Sequence, residues 1–210
     1  SSDLFIVDDY VFLDKTRSAS FVELWSRANT DFNWYRPWSR ESHFWILQKA
    51  FGASEPGFRA ANLALWLAGL GLYFGFLRRW AGPRVPVLAT LGVCSLSLWG
   101  APLTWISGAQ DLWILFFALL TLALVDRGQT WLALVSFVGA LLSKETAAML
   151  PLVVMAHARW IRRVSWRDAL RAMSPLVALT VLWIVFHPTL LGRATHPDEY
   201  TVGGDQPLPP

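Results

Sequence analysis

The sequence predicts an all-α membrane protein from its composition, its hydropathy and the spacing of its charges. Apolar residues make up 54% of the 210 residues, whereas charged residues make up only 16%. The mean hydropathy of +0.38 lies on the membrane side of ordinary globular usage. Long apolar runs are separated by short breaks that carry arginine, as in proteins whose helices cross a bilayer. We therefore expect a polytopic transmembrane helix bundle of about six spans, preceded by an extracytoplasmic N-terminal loop with short amphipathic helices.

Each predicted span is an apolar run that ends at a charge or at a turn. A helix needs roughly 20 apolar residues to cross a bilayer. The runs closest to this length are residues 60–77, 85–99, 112–125, 129–143, 146–158 and 174–191. We expect residues 1–59 to form the extracytoplasmic loop. Residues 192–210 are rich in glycine and proline and are expected to form an irregular extracytoplasmic tail.

The net charge of +3 is explained by orientation in the membrane. The arginines lie at span ends and form no continuous basic face, so we expect no nucleic-acid partner. Tryptophans also lie at many of the span ends, as in an aromatic belt. No targeting signal is visible after Ser1, and we expect the chain to be either processed or partial.

Residues 128–157 are the ambiguous segment, because Lys144 and Glu145 interrupt the apolar run. A single crossing would place both charges in the middle of the membrane, where each costs about 2.5–3.5 kcal/mol. Two crossings would place the arginines of residues 159–171 on the same side as Arg79 and Arg127. The positive-inside tendency favours two crossings, with Lys144 and Glu145 at the opposite surface.

Two short helices are predicted in the N-terminal loop. Ser20 and Glu23 have capping-box spacing at the start of an apolar stripe over residues 20–28. Residues 43–51 have an apolar side but are too short to span, so we expect this helix to lie in the membrane interface. Proline and polar residues predict a loop at residues 29–40.

Few side chains in the sequence suggest chemistry. There is no glycine-rich phosphate loop, nucleophile elbow or zinc signature. The histidines have no metal-ligand spacing: His43, His157, His187 and His196. Cys94 lies in an apolar run without a partner. The polar groups that stand out are the adjacent carboxylates Asp8 and Asp9, and the pair Lys144 and Glu145 between two predicted spans.

Several short motifs follow one another in an informative order. They are Asp8-Asp9-Tyr10, Tyr35-Arg36-Pro37, Asn62-Leu63, Pro102, Trp105-Ile106-Ser107-Gly108, Asp111-Leu112, Leu142-Ser143-Lys144-Glu145-Thr146 and Leu150-Pro151. In this order they resemble the front part of the type C glycosyltransferase superfamily. The closest resemblance is to the transmembrane and tetratricopeptide-repeat protein O-mannosyltransferases and their bacterial relatives, and it covers about residues 5–154. The family's first membrane helix, its later spans and its repeat domain fall outside these 210 residues.

The resemblance implies an integral membrane enzyme, expected in a bacterial inner membrane with its site facing the periplasm. Such an enzyme moves a sugar, for example mannose, from a polyprenyl-phosphate donor to a protein or other hydroxyl acceptor. Its expected partners also include membrane lipids and other membrane subunits. The motifs specify no cofactor, and a divalent metal is left open.

The resemblance also assigns roles by position. Asp8 and Asp9 match the family's acidic pair, and Asp8 is the expected base that takes the acceptor proton, with Asp9 orienting it. Arg36 and Lys144 are the expected cations for the lipid phosphate. The remaining substrate-binding candidates are carboxylates: Glu145 and Asp111. Each role has an open alternative. Asp8 and Asp9 could be a solvated surface pair, and Arg36 could be a surface arginine stacked on an aromatic ring. Lys144 could be a lysine at a helix end, and Asp111 and Glu145 could be helix caps.

Three positions depart from the family's pattern. Ala101 stands where the family usually has histidine, Gln110 where it usually has arginine, and Arg59 where histidine is common. A chain reduced to about six crossings, without the helix before the acidic pair and without the family's side chains at Ala101 and Gln110, could instead be a noncatalytic structural subunit of a larger membrane complex. A transporter is disfavoured, because the predicted spans carry almost no ionisable groups apart from Lys144 and Glu145.

Overall fold

The computed structural model describes residues 7–26 and 34–190, and all regular structure in these ranges is helical. The α-helices are α1 Val7–Ser18, α2 His43–Phe51, α3 Glu55–Leu77, α4 Arg84–Cys94, α5 Gly100–Thr104, α6 Ala109–Asp126, α7 Thr130–Leu141, α8 Leu150–Ala156 and α9 Trp166–Phe186. Short 3-10 or π-helical turns lie at Glu23–Trp25, Pro37–Ser42, Ser97–Trp99, Ile106–Gly108, Glu145–Met149 and His157–Ile161. The all-α prediction is confirmed for the described residues.

Within the described ranges, three helices are long and apolar enough to cross a membrane: Glu55–Leu77, Ile106–Asp126 and Trp166–Phe186. The pair Arg84–Cys94 and Ser97–Thr104 forms a further candidate span that is bent by 56°. Helix α7 is apolar but has only 12 residues. The described residues thus form a helical protein with three or four candidate spans, and the predicted number of about six is not confirmed.

The helices at two of the predicted spans have different bounds from those spans, for local reasons. Helix α9 begins at Trp166 rather than at 174, because the Ser165 hydroxyl caps it by accepting a hydrogen bond from the Asp168 backbone N–H at 3.2 Å. The predicted span 85–99 is interrupted, because α4 ends at Cys94 and the chain becomes extended at Leu96. The predicted tail at 192–210 lies outside the described residues.

Contacts at the two ends of α6 show how the following segment runs. Helix α6 has 18 residues, so it is about 27 Å long. Lys144 contacts Asp111 at the start of α6, and His157 Nε2 lies 3.3 Å from Asp126 Oδ1 at its end. Helix α7 therefore runs antiparallel to α6, from its end toward its start. The chain reverses near residue 144 and returns toward the end of α6 through Glu145–Met149 and α8.

An apolar core holds α7, α8 and α9 together beside α6. Its buried members include Phe137, Leu150, Val154 and Leu176. Gly139 of α7 lies against Phe117 of α6, and a Cβ atom at this glycine would come within 2.8 Å of that ring. Helix α7 can lie this close to α6 because Gly139 has no side chain.

The N-terminal segment has more structure than the loop that was predicted. Asp8 and Asp9 lie in the first turn of α1, where carboxylates favour the helix dipole. Phe12 and Leu13 supply the buried apolar contact of α1, toward Phe44 and its neighbours. This is too short a pattern for a helix to be predicted from apolar spacing.

The two helices that were predicted in this segment have mixed outcomes. The capping box is present, since the Ser20 N–H donates to Glu23 Oε2 at 2.7 Å, but regular helix is confined to Glu23–Trp25. Helix α2 has the predicted bounds. Its Phe44 is fully buried, with its ring 5.4 Å from that of Phe58, so this side of α2 packs into the protein rather than into a membrane interface.

The predicted loop at 29–40 is only partly irregular. Residues 27–33 lie outside the described ranges, and residues 34–36 have no regular structure. The π-helical turn Pro37–Ser42 then leads directly into α2.

Candidate functional site

Arg36 and Glu145 form the centre of a polar cluster at the end of the bundle where α6 begins. The Arg36 guanidinium donates to the Glu145 carboxylate from Nε at 3.0 Å and from Nη2 at 2.6 Å. Its Nη1 donates to the side-chain oxygen of Gln110. This forked geometry is the strong form of an arginine–carboxylate pair, and it fixes the guanidinium between two elements.

Backbone contacts explain why Arg36 reaches this position. The proline at position 37 begins the π-helical turn Pro37–Ser42, which lies against the chain reversal after α7. The Trp38 N–H donates to the Leu142 carbonyl at 3.3 Å, and the Ser39 hydroxyl donates to the Ser143 carbonyl at 2.6 Å. The two segments are far apart in sequence but are held together by these hydrogen bonds to main-chain carbonyls, which place Arg36 beside Glu145.

Lys144 and Asp111 form the second ion pair of the cluster. Lys144 has an extended backbone between α7 and the turn Glu145–Met149, and its Nζ donates to the Asp111 carboxylate. The side chain of Lys144 is 27% exposed and that of Asp111 is 46% exposed. Both groups are therefore reachable by a ligand, unlike the more enclosed pair Arg36 and Glu145, whose side chains are 14% and 13% exposed.

Asp9 connects α1 to the same end of the bundle. Its carboxylate is fully buried and accepts hydrogen bonds from the Ser107 backbone N–H, at 2.9 Å, and from the Ser107 hydroxyl. Ser107 precedes Gly108, where a Cβ atom would lie 2.7 Å from the Pro102 Cα. Glycine is needed at this position because two backbones touch there.

Asp8 differs from Asp9 in exposure and in hydrogen bonding. It is partly exposed, and its carboxylate forms no hydrogen bond or ion pair with the described part of the chain. The anchoring of Asp9 to Ser107 holds the first turn of α1 at this end of the bundle. Of the two adjacent aspartates, Asp8 is therefore the one free to meet a substrate.

An apolar cleft of about 490 Å³ opens beside Asp111. Its walls come from α5, α6 and the turn before α5, and they include Trp99, Ala101, Pro102 and Leu115. Asp111 is the charged group on this wall. A cleft of this composition can take an apolar chain with a polar group placed at the carboxylate.

Buried polar side chains beneath the cluster support it. Arg40 and Glu41 are almost fully buried and form an ion pair at 2.6 Å, and Lys15 of α1 lies 3.4 Å from the same Glu41 oxygen. This network joins α1 to the π-helical turn that follows Arg36. The ion-pair network of Arg40, Glu41 and Lys15 thus supports the cluster, and it cannot rearrange without leaving a buried charge unpaired.

His43 is a buried neutral group rather than a polar surface residue. Its Nδ1 accepts a hydrogen bond from Trp113 Nε1 at 3.1 Å, which places the ring proton on Nε2. Burial lowers the pKa of His43 to about 4, and the side chain of Asn62 partly opposes this shift. The histidine is therefore uncharged at neutral pH and acts in packing.

The structure brings four of the predicted site residues together: Arg36, Asp111, Lys144 and Glu145. Asp111 and Glu145 each lie in the first turn of a helical segment, and each forms an ion pair, with Lys144 and Arg36 respectively. Ser107 and Gln110 were not predicted as members of the site. Ser107 lies in the motif Trp105-Ile106-Ser107-Gly108, which is part of the family resemblance. That motif was the feature of the sequence that could have indicated Ser107 as a member of the site.

In the described residues no group of three His, Cys, Asp or Glu side chains is arranged to hold a metal ion. No family model, curated protein or solved structure matches the chain in the comparisons with known proteins. What the arrangement offers chemically is two cations held by carboxylates, a separate free carboxylate on α1, and an adjoining apolar cleft.

Proposed function

We propose that the chain is part of a membrane glycosyltransferase that moves a sugar, mannose being the leading candidate, from a polyprenyl-phosphate donor to a hydroxyl acceptor. The carrying observation is that Arg36, Asp111, Lys144 and Glu145 meet at one end of the bundle. Asp9 ties the acidic turn of α1 to this same end. A lipid phosphate needs cations and an apolar groove side by side, and this end provides both.

We further propose that the described chain crosses the membrane about six times, with short or broken helices in some crossings. The arginine-rich end, where Arg79 Nε lies 3.0 Å from Asp126, would face the cytoplasm of a bacterial inner membrane. Contacts at both ends of α6 support this number, because α7 and α8 run in opposite directions beside it. The cluster at Lys144 would then face the periplasm.

In the proposed reaction the bond between the anomeric carbon and the phosphate oxygen breaks, and a bond from that carbon to the acceptor oxygen forms. The acceptor proton passes to the Asp8 carboxylate, and the polyprenyl phosphate leaves with the bonding electron pair. A free, partly exposed carboxylate suits the role of base. Asp9 acts by positioning Asp8, since its Oδ1 atom accepts hydrogen bonds from both the N–H and the hydroxyl of Ser107.

Lys144 is the cation proposed to meet the leaving phosphate. Its present partner Asp111 is 46% exposed, so exchanging a surface carboxylate for a phosphate costs little. Arg36 is more enclosed and stays paired with Glu145 in this proposal, so Lys144 carries the contact with the phosphate. The prenyl chain would lie in the cleft beside Asp111, which is lined by apolar side chains.

The decisive experiment is a transfer assay on the full-length protein with mannosyl, glucosyl and other polyprenyl-phosphate sugars and a hydroxyl-containing peptide. We expect transfer by the wild-type protein and loss of at least about a hundredfold in Asp8→Asn, the scale of general-base catalysis. Asp14→Asn is the matched control, because Asp14 lies on the same helix with its side chain 84% exposed. Transfer undiminished in Asp8→Asn, with normal folding, removes Asp8 as the base.

A noncatalytic structural subunit is the second candidate, and one observation favours it. Each cation of the cluster already has a carboxylate partner, so the network is complete without a ligand. This function predicts no transfer with any donor and a stable complex with other membrane subunits. A full reading frame with another apolar span upstream and several downstream would favour the enzyme instead.

A further inference from the structure

The opposite end of the bundle carries a groove that the proposed function does not use. It runs between α3 and α6 and has a volume of about 400 Å³. On the α3 side it is lined by the small residues Ala68, Gly71 and Gly75 together with Leu72 and Phe76, and it ends at Arg79. A Cβ atom added at Gly71 or Gly75 would meet nothing within 4 Å, so the groove is open along its length.

The two walls of the groove run in the same direction and end in two arginines. Ile106, just before α6, packs with Phe58 near the start of α3, and Arg79 after α3 lies beside Asp126 at the end of α6. Arg127 follows Asp126 and lines the groove on the α6 side. Both guanidinium groups therefore lie at the same mouth of the groove.

The charge at this mouth is only partly neutralised. The Arg79 Nε atom lies 3.0 Å from the Asp126 carboxylate. The same carboxylate also faces His157 and, at 4.0 Å, Arg162. Arg127 is exposed and forms no side-chain hydrogen bond or ion pair with the residues that the structure describes. A net positive charge thus remains above an apolar groove.

We propose that this groove binds an anionic phospholipid from the leaflet that faces the arginine-rich end. One acyl chain lies along Gly71 and Gly75, and the phosphate contacts Arg79 and Arg127. The distance from Ala68 to Arg79 is about 16 Å along a helix, close to half of the roughly 30 Å hydrocarbon core. The groove therefore has the depth of one leaflet, with its cations at headgroup level, where basic residues recognise anionic lipids.

The test measures lipid binding to the purified full-length protein by native mass spectrometry. Phosphatidylglycerol and phosphatidylcholine with identical acyl chains are the two probes. We expect phosphatidylglycerol to bind more tightly to the wild-type protein. Arg127→Gln should weaken phosphatidylglycerol binding about fivefold without changing phosphatidylcholine binding, and Gly75→Leu, which fills the groove, should weaken both.

Matched controls separate the groove from general effects of charge and size. Arg84→Gln removes a charge at the same end, and Gly92→Leu adds a side chain at another helical glycine with open space around it. Neither should change lipid binding. Unchanged phosphatidylglycerol binding in Gly75→Leu and Arg127→Gln overturns the proposal. So does a Gly75→Leu protein that loses self-association but keeps its lipid, because the groove would then be a helix-packing surface.

Discussion

Arg36 and Glu145 are 109 residues apart in the chain, and their side chains meet through a forked ion pair with N–O distances of 2.6–3.2 Å. Both side chains are mostly enclosed. The pair fixes the π-helical turn before α2 against the chain reversal after α7. Its geometry therefore matters for stability as well as for the charge of the site.

Replacing Arg36 by lysine should destabilise the protein although the charge is kept. A lysine ammonium cannot form the fork to Glu145 or reach Gln110 with a second arm. We expect a loss of about 1–3 kcal/mol, measured as a lower midpoint of thermal unfolding in detergent. Arg17→Lys is the control, since the Arg17 side chain is 71% exposed, and an equal shift in both variants would contradict the prediction.

Lys144→Ala should weaken donor binding if the phosphate contacts this cation. Removal of a charge-assisted hydrogen bond costs about 1.5–3 kcal/mol, which corresponds to at least a tenfold increase in the dissociation constant of a polyprenyl-phosphate sugar. Titration with the donor measures this change. Lys49→Ala is the control, because Lys49 lies on exposed helix surface with its Nζ 5.8 Å from the Trp45 ring centre. An unchanged donor affinity in Lys144→Ala counts against the phosphate role.

The contact between Asp9 and Ser107 should prove structural in a double-mutant cycle. Asp9→Ala leaves the buried Ser107 N–H without its acceptor, which costs about 1–3 kcal/mol. Ser107→Ala removes only the hydroxyl and should cost less. Unfolding midpoints of the single and double variants give the coupling, which we expect to exceed about 0.5 kcal/mol. Additive effects would show that the two groups stabilise the protein independently.

Gly108→Ala should be strongly unfavourable, since the new methyl group would meet the Pro102 Cα at 2.7 Å. Neither backbone can move without disturbing Ser107, so we expect a cost of about 1–3 kcal/mol. Gly92→Ala is the control, because it has open space and lies within α4. That control should be neutral or stabilising, and thermal unfolding of both variants provides the comparison.

His43 should make stability depend on pH. Its pKa is about 4 when folded and 6.5 in the unfolded chain, so the folded state binds fewer protons between these values. The contribution of neutral His43 to the free energy of unfolding is therefore fully present above pH 6.5. It is lost as the pH falls through about 4, and the total loss is about 3 kcal/mol. His43→Gln keeps an acceptor for Trp113 but cannot titrate. Unfolding midpoints at pH 7 and pH 4.5 should converge in this variant, and an equally steep loss would exclude His43 as the cause.

Several features of the protein could be predicted from local sequence patterns. Apolar runs predicted the helices that became α3, α6 and α9, because burial in lipid or protein requires continuous apolar length. Lys144 and Glu145 stood out because charges inside an apolar segment are costly. The sequence could not predict α1, whose apolar contact comes from only Phe12 and Leu13.

The tertiary structure alone decided which polar groups became partners. Gln110 had been noted only as a departure from a family pattern, yet its oxygen accepts from Arg36. The acidic pair gave no sign that Asp9 would be buried on Ser107 while Asp8 stayed partly exposed.

The sequence by itself therefore determined the class of the protein, its main apolar helices and the charged residues that needed explanation. Hydrophobic length and the cost of a charge in an apolar run are local properties that can be read from neighbouring residues. Hydrogen-bond partners are different, because they depend on distances of about 3 Å between segments far apart in the chain. Only packing of the helices and turns sets those distances, and with them the division of the aspartates into one anchor and one free carboxylate.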